Sequence, residues 1–360
     1  DVITINTKNN YYNPGAMQSD LTCFMMDDAG SGELTTYDGS SYIELYIAHK
    51  HTLCNIDSES HELSVAGHSG SCGDEIEYKE WTDNDAYEDY GSGTLASGGY
   101  VNATNWLPRS GNWYLSKDVQ LSEEWRASGS EKKLNLCFNG HTITGTDNNT
   151  TNSLLIVSAG AKVNLTDCAE EAGGLRGNSS LTDQRGLRVS WGYANMYNGT
   201  ITGFTGNYGG GVSIEPRTDG SFGLYANAAI QYNKSINTKD LHYGNYWPNS
   251  ENVNYGGGGG VANFGEFTMN SLRDDAIAYN SAARFGGGLF NWPYGEQYRW
   301  AKLLNGGIRD NTAGEQGGGV LTADTAGNGL GLGGNISITG NTLTDKTSNN
   351  LCLPNDTKNG

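Results

Sequence analysis

The sequence predicts an all-β protein, a right-handed parallel β-helix, on three observations: a glycine-rich polar composition, two markers that recur in phase, and short alternating segments between them. The chain has 360 residues with 53 Gly, 6 Pro and 21 Tyr, and its mean hydropathy is −0.55. A chain of this length can bury a sizeable core, and the balance fits one elongated domain or repeat array better than a compact α/β enzyme.

The first marker is a glycine triplet followed by an aliphatic residue: Gly209–Val212, Gly258–Val261, Gly286–Leu289 and Gly317–Val320. The second is Ile-x-x-Asn: Ile230 to Asn233, Ile277 to Asn280, Ile308 to Asn311 and Ile338 to Asn341. From the aliphatic residue to the Ile the steps are 18, 16, 19 and 18 residues, so two independent markers keep phase. The last two repeats are 28 and 31 residues long, and the 49-residue step before them holds an insertion. The segments between markers are short and glycine-bounded, as in Val212-Ser213-Ile214, and read as strands rather than helices. One coil then consists of two or three strands. The Ile points into the core, the four Asn stack as a ladder at one corner, and glycine serves turns of positive φ or close backbone approach.

Earlier coils are more degenerate, at 134–145, 163–178 and 195–207, and the repeat spans about 131 to 355. The expected organisation is an N-terminal segment over 1–78, lead-in or capping strands over 79–130, and β-helix coils over 131–360. Loop insertions fall at 237–255 and 291–300.

The segments LNLCFNGHTITG, VNLTDC and NMYNGTITGFTGN, with the GGGV and IxxN alternation, resemble the β-helix repeats of large surface proteins of gut Clostridia and related Gram-positive bacteria. Upstream, WTDNDAY, LPRSGNWYLSKDVQL and EEW resemble the lead-in of those repeats. The resemblance covers most of residues 80 to 355. It implies a fold shared by polysaccharide lyases, glycosidases and adhesins, and an extracellular or cell-surface bacterial location.

The formal net charge of −18 opposes binding to phosphate backbones and anionic lipid, which argues against a nucleic-acid partner. No apolar run approaches the roughly 20 residues that span a bilayer, so no membrane insertion is expected. Beginning at Asp1 fits a removed signal peptide or a trimmed chain. The six cysteines are too scattered for a dense disulfide scaffold and leave the redox compartment open.

Residues 49–72 hold four of the six His and two of the six Cys. His51, Cys54, His68 and Cys72 have spacing suited to a tetrahedral structural zinc site, with His49 and His61 in reserve; a Cys54–Cys72 disulfide is the alternative. In the resembling proteins a His/Cys-rich stretch often precedes the same lead-in, with a His where Cys72 stands here. Cys137, Cys168 and Cys352 read as small buried residues.

A glycan-cleaving site needs acids on neighbouring coils. Asp274, Asp275 and Asp310 are the candidates, beside Arg273, Arg309, Asp324 and Glu266. Aligned on the Ile, however, Asp275 falls opposite Gly306 and Asp310 opposite Tyr279, so the acids do not stack. Calcium at Asp/Asn turns has no ligand-loop signature to support it. The insertions concentrate His242, Tyr243, Tyr246 and Trp247 in the first loop, and Trp292, Tyr294, Tyr298, Arg299 and Trp300 in the second. Tyr, Trp and Arg are enriched in binding hot spots, and aromatic faces stack on sugars. The expectation is a surface module that binds a host glycoprotein, a mucin or mucosal immunoglobulin, or a glycan, through these loops. A polysaccharide lyase or glycosidase is the alternative, and a passive spacer a third reading.

Overall fold

The computed structural model describes 78–81, 108–169, 171–216, 218–238, 257–292, 300–322 and 329–353 in full. It also gives the backbone of Ile3–Asn6, Phe24–Met26, Leu34–Thr36, Glu44–Ile47, His49–Leu53 and Asp74–Glu80. The residues described in full form an all-β parallel solenoid of about seven turns. Among them, no helix is long and apolar enough to cross a membrane.

Each coil contributes to up to four parallel ladders. The first ladder runs from Gly111–Tyr114 through Lys133–Cys137, Lys162–Thr166, Tyr193–Met196, Ser221–Ala226 and Glu266–Ser271. The second runs from Val119–Leu121 through Thr142–Gly145, Gly174–Arg176, Thr200–Thr202, Ala229–Gln231 and Ile277–Ala278. The two merge in the long strands Trp300–Arg309 and Gly329–Thr339. A short third ladder, Thr205–Gly206 to Thr342–Leu343, exists only in the later coils. The fourth has eight strands, from Trp125–Ser128 to Leu351–Cys352. The expected lead-in thus stacks as a coil of its own, starting at Gly111. Before it, Asp74–Glu80 pairs parallel with Gly111–Tyr114 and antiparallel with His49–Leu53.

Alternation along each strand places one aliphatic column inside per ladder. Ile143, Leu175, Ile201, Ile230, Ile277 and Ile308 of the second ladder are all fully buried and in register. Trp81 and Trp125 are the largest side chains fully buried in this core.

The asparagine ladder forms as expected. Asn233 donates its backbone N–H and Nδ2 to Oδ1 of Asn280 (2.9 and 3.1 Å), Asn280 does the same to Asn311, and Asn311 to Asn341. Each Nδ2 also donates to the Ile carbonyl of the preceding coil at 2.9 Å, Asn280 to Ile230 for example. Asn341 ends the series by donating to Oδ1 of Asn350, nine residues on. The glycine triplets divide the two tasks expected of them. The leading residue takes positive φ (58° at Gly209, 75° at Gly258). A Cβ on the middle one would sit 2.4 Å from a third-ladder carbonyl, Lys234 O for Gly210 and Ser281 O for Gly259.

Candidate binding face

Just after the second-ladder strand, the backbone takes a left-handed step at Gly203, Tyr232, Tyr279, Asp310 and Gly340, with φ of 77°, 58°, 59°, 55° and 67°. Bulky residues seldom adopt that conformation. Here a buried Asn follows each step but the first and fixes the turn, while after Gly203 the Phe204 N–H donates to Oδ1 of Asn233. The step lies outside the core, and Tyr232 and Tyr279 are 60% and 36% exposed. Their rings stack at 4.9 Å with 12° between planes, which matches the spacing between adjacent strands.

The far face of Tyr279 is covered by Arg309, whose guanidinium carbon lies 5.6 Å from the ring centre. Arg309 also pairs with Asp310 at 3.1 Å and reaches Asp275 at 4.0 Å. Arg273 grips Asp275 through two bonds of 2.8 and 2.9 Å, and Gln231 donates to the Asp275 backbone carbonyl. Burial works to raise the Asp275 pKa, but the Arg273 hydrogen bonds and charge, with help from Gln231 and Arg309, outweigh it and hold the carboxyl below its ordinary range.

The near face of Tyr232 is open. Its neighbour in the column is Gly203, itself exposed, where an added Cβ would meet nothing closer than 3.8 Å. Arg176 on the second ladder and Lys234 on the third are exposed on either side of this position. The nearby carboxylates Asp147 and Asp183 are bonded by Asn178 and Asn207. The Tyr232 ring thus offers an open face, with exposed cations on the two flanking ladders.

The three candidate acids come close to this face but are not set for acid–base work. Asp275 and Asp310 are each engaged by arginine rather than by a second carboxylate, and the residues that meet Gly306 are Ser271 and Arg273, not the expected Asp275. Asp274 packs its backbone against Gly307 and adds its charge to the field at Arg309.

Among the loop aromatics, Trp292 is half-buried and stacks on Phe290 (5.6 Å, 23°) in an apolar layer with Phe264, Phe285 and Leu321 on the outer side of the fourth ladder. Trp300 is 40% exposed on the outer side of the first ladder. The first insertion leads into the strand Val261–Asn263 and the second follows Leu289–Asn291, its partner, so they attach at opposite ends of one ladder. His242, Tyr243, Tyr246, Trp247, Tyr294, Tyr298, Arg299 and Asp324 lie outside the described residues. So do Cys54, His68 and Cys72 of the expected zinc site, while His51 is described in its backbone alone. Among the described residues no group of three or more His, Cys, Asp or Glu is placed to hold a metal.

A second polar cluster is structural. Glu215 accepts from Arg185 (3.1 Å), Ser213 (3.1 Å) and Tyr208, with Arg188 at 3.3 Å, and the Arg185 and Glu215 side chains are only 7% and 3% exposed. Burial opposes the Arg185 charge, and Tyr208 and Glu215 more than compensate, keeping the guanidinium above its ordinary pKa.

Sequence reading passed over Tyr232 and Tyr279, although the signal was present: both immediately precede the corner Asn, in IQYN and IAYN. No family model, no curated protein and no solved structure matches the chain.

Proposed function

We propose that this chain is a non-catalytic binding module of a bacterial surface β-helix protein of the kind its repeats resemble, and that it holds a glycan of a host glycoprotein on the Tyr232 face. The stacked Tyr232–Tyr279 pair carries the reading. It is an aromatic face fixed by the solenoid, exposed, backed by Arg309 and open over Gly203. A pyranose presents a flat C–H face to such a ring, and pre-organisation removes the entropy cost of ordering the side chains. In a chain of net charge −18, the exposed Arg176 and Lys234 beside the slot favour a sugar that bears a carboxylate.

The test is biolayer interferometry against mucin glycopeptides and their released oligosaccharides, acidic and neutral. Tyr232→Ala is expected to weaken binding at least tenfold, on the order of 1.4 kcal/mol. The paired change Arg176→Gln/Lys234→Gln should remove the preference for acidic glycans and leave neutral ones, while Trp300→Ala leaves both. Glycan binding that survives Tyr232→Ala but falls with Trp300→Ala would move the site to the first-ladder face and overturn this reading.

A further inference from the structure

Cys137 closes the first-ladder strand Lys133–Cys137, and Cys168 lies two residues beyond Thr166, the residue paired with Cys137 in the next coil. Their Sγ atoms are 3.6 Å apart although the residues are 31 apart in sequence. Cys137 is buried against Tyr78 and Tyr197, and Cys168 is exposed. A disulfide requires roughly 2.05 Å between sulfurs, so about 1.6 Å of side-chain movement closes the gap. We infer that Cys137 and Cys168 form an inter-coil disulfide site, with Cys168 the entry point for an oxidant and Cys137 the resolving thiol.

The chemistry needs a low-molecular-weight disulfide as oxidant. The Cys168 thiolate attacks one of its sulfurs, forms a mixed disulfide and expels one thiolate. Cys137 then gives up its proton, attacks the Cys168 sulfur and expels the second thiolate. Two protein thiols have lost two electrons and two protons, and the small disulfide has become two thiols. The hydrogen bond to Cys168 and burial both hold the Cys137 thiol above its ordinary pKa, so the second step is the slow one at neutral pH. The product closes a loop of one whole coil, a cross-link that restrains the unfolded chain, and it persists only where the surroundings are oxidising.

The site can be mapped directly, because trypsin separates the two cysteines from the other four, on peptides 134–162 and 163–176. After the full chain is treated with oxidised glutathione and remaining thiols are alkylated, mass spectrometry should find these two peptides joined, lighter by two hydrogens than their sum. The joined species should vanish in Cys168→Ser. Reduction should lower the thermal midpoint of the oxidised wild type by several degrees and leave that of oxidised Cys168→Ser unchanged. Glutathione retained on Cys168 without resolution, or both cysteines recovered alkylated, would overturn the inference.

Discussion

The coils from Gly111 to Ser190 and those from Tyr193 to Cys352 share three ladders and one core, yet they turn the corner after the second ladder in different ways. In the later coils the corner Asn accepts from the Asn of the coil before it and donates to the Asn of the coil after it, so the hydrogen bonds run along the solenoid. In the earlier coils Asn149 and Asn178 also reach back, donating to the Leu121 and Gly145 carbonyls at 3.0 Å. Their Oδ1 atoms, however, close a local turn on Thr151 and Ser180 instead of meeting another Asn. The same residue type makes a coil-to-coil ladder where the turn is short and uniform, and a self-contained turn where it is long. Outside the first ladder the early coils carry a further amide ladder, Asn112, Asn135 and Asn164, which runs on to Asn195 in the first later coil.

The two regimes meet at Glu215. Arg185 and Arg188 come from the last early strand of the fourth ladder, while Ser213 lies in the first later one and Glu215 directly follows it. Removing the carboxylate leaves Arg185 charged and buried, a change that typically costs about 3–5 kcal/mol. Glu215→Ala should therefore show the largest effect of the changes considered, and because neighbouring coils stabilise one another it should split a single urea transition into two. One sharp transition at an unshifted midpoint would mean that the seam is held by the aliphatic core alone.

The corner itself provides the next contrast. Asn280→Ala strips the acceptor from the Asn233 N–H and Nδ2 and the donor from the Ile230 carbonyl, all buried. Orphaned buried groups cost about 1–3 kcal/mol each, less where local relaxation lets water in, so a loss of about 3 kcal/mol is expected in denaturant titrations. Asn178→Ala breaks two bonds to the preceding coil, one of them to the exposed Asp147, and one local turn in a half-exposed segment, and should cost about 1 kcal/mol. Equal losses at the two positions would erase the distinction between the two kinds of corner.

Much of this was legible in the sequence, because the later coils repeat two markers whose physics is local. A left-handed glycine and a buried Asn look the same in every coil. The binding face was harder to see. Tyr232 and Tyr279 stack although an insertion sets them 47 positions apart in sequence, and only the ladder register shows that they are neighbours. Alternation alone would leave Phe290 wet, yet in Leu289-Phe290-Asn291 all three residues are buried, because an outer aromatic layer covers that face. Gly203 carried no signal of its own. Its importance lies in the side chain it lacks next to Tyr232, which is a property of the column and not of the residue.

The smallest expected effect concerns acid, and it separates the exposed charged edge of the later coils from their buried corner. The Arg273 and Arg309 guanidiniums depress the Asp275 pKa in the folded state, so the folded chain holds its carboxylate at a pH where the unfolded chain has bound a proton. The stabilisation is fully present above the ordinary aspartate pKa, roughly 4, and is lost as pH falls through the lower folded value. Stability measured by urea titration at pH 6 and pH 3 should thus fall more for the wild type than for Asp275→Asn, which has no proton to gain at that site. The pair is half open to water, so the difference should be small and should shrink further in high salt. The Asn ladder has no titrating group, and Asn280→Ala should lose the same stability at both pH values. A pH-dependent loss in Asn280→Ala would mean that the buried corner and the charged edge act as one unit.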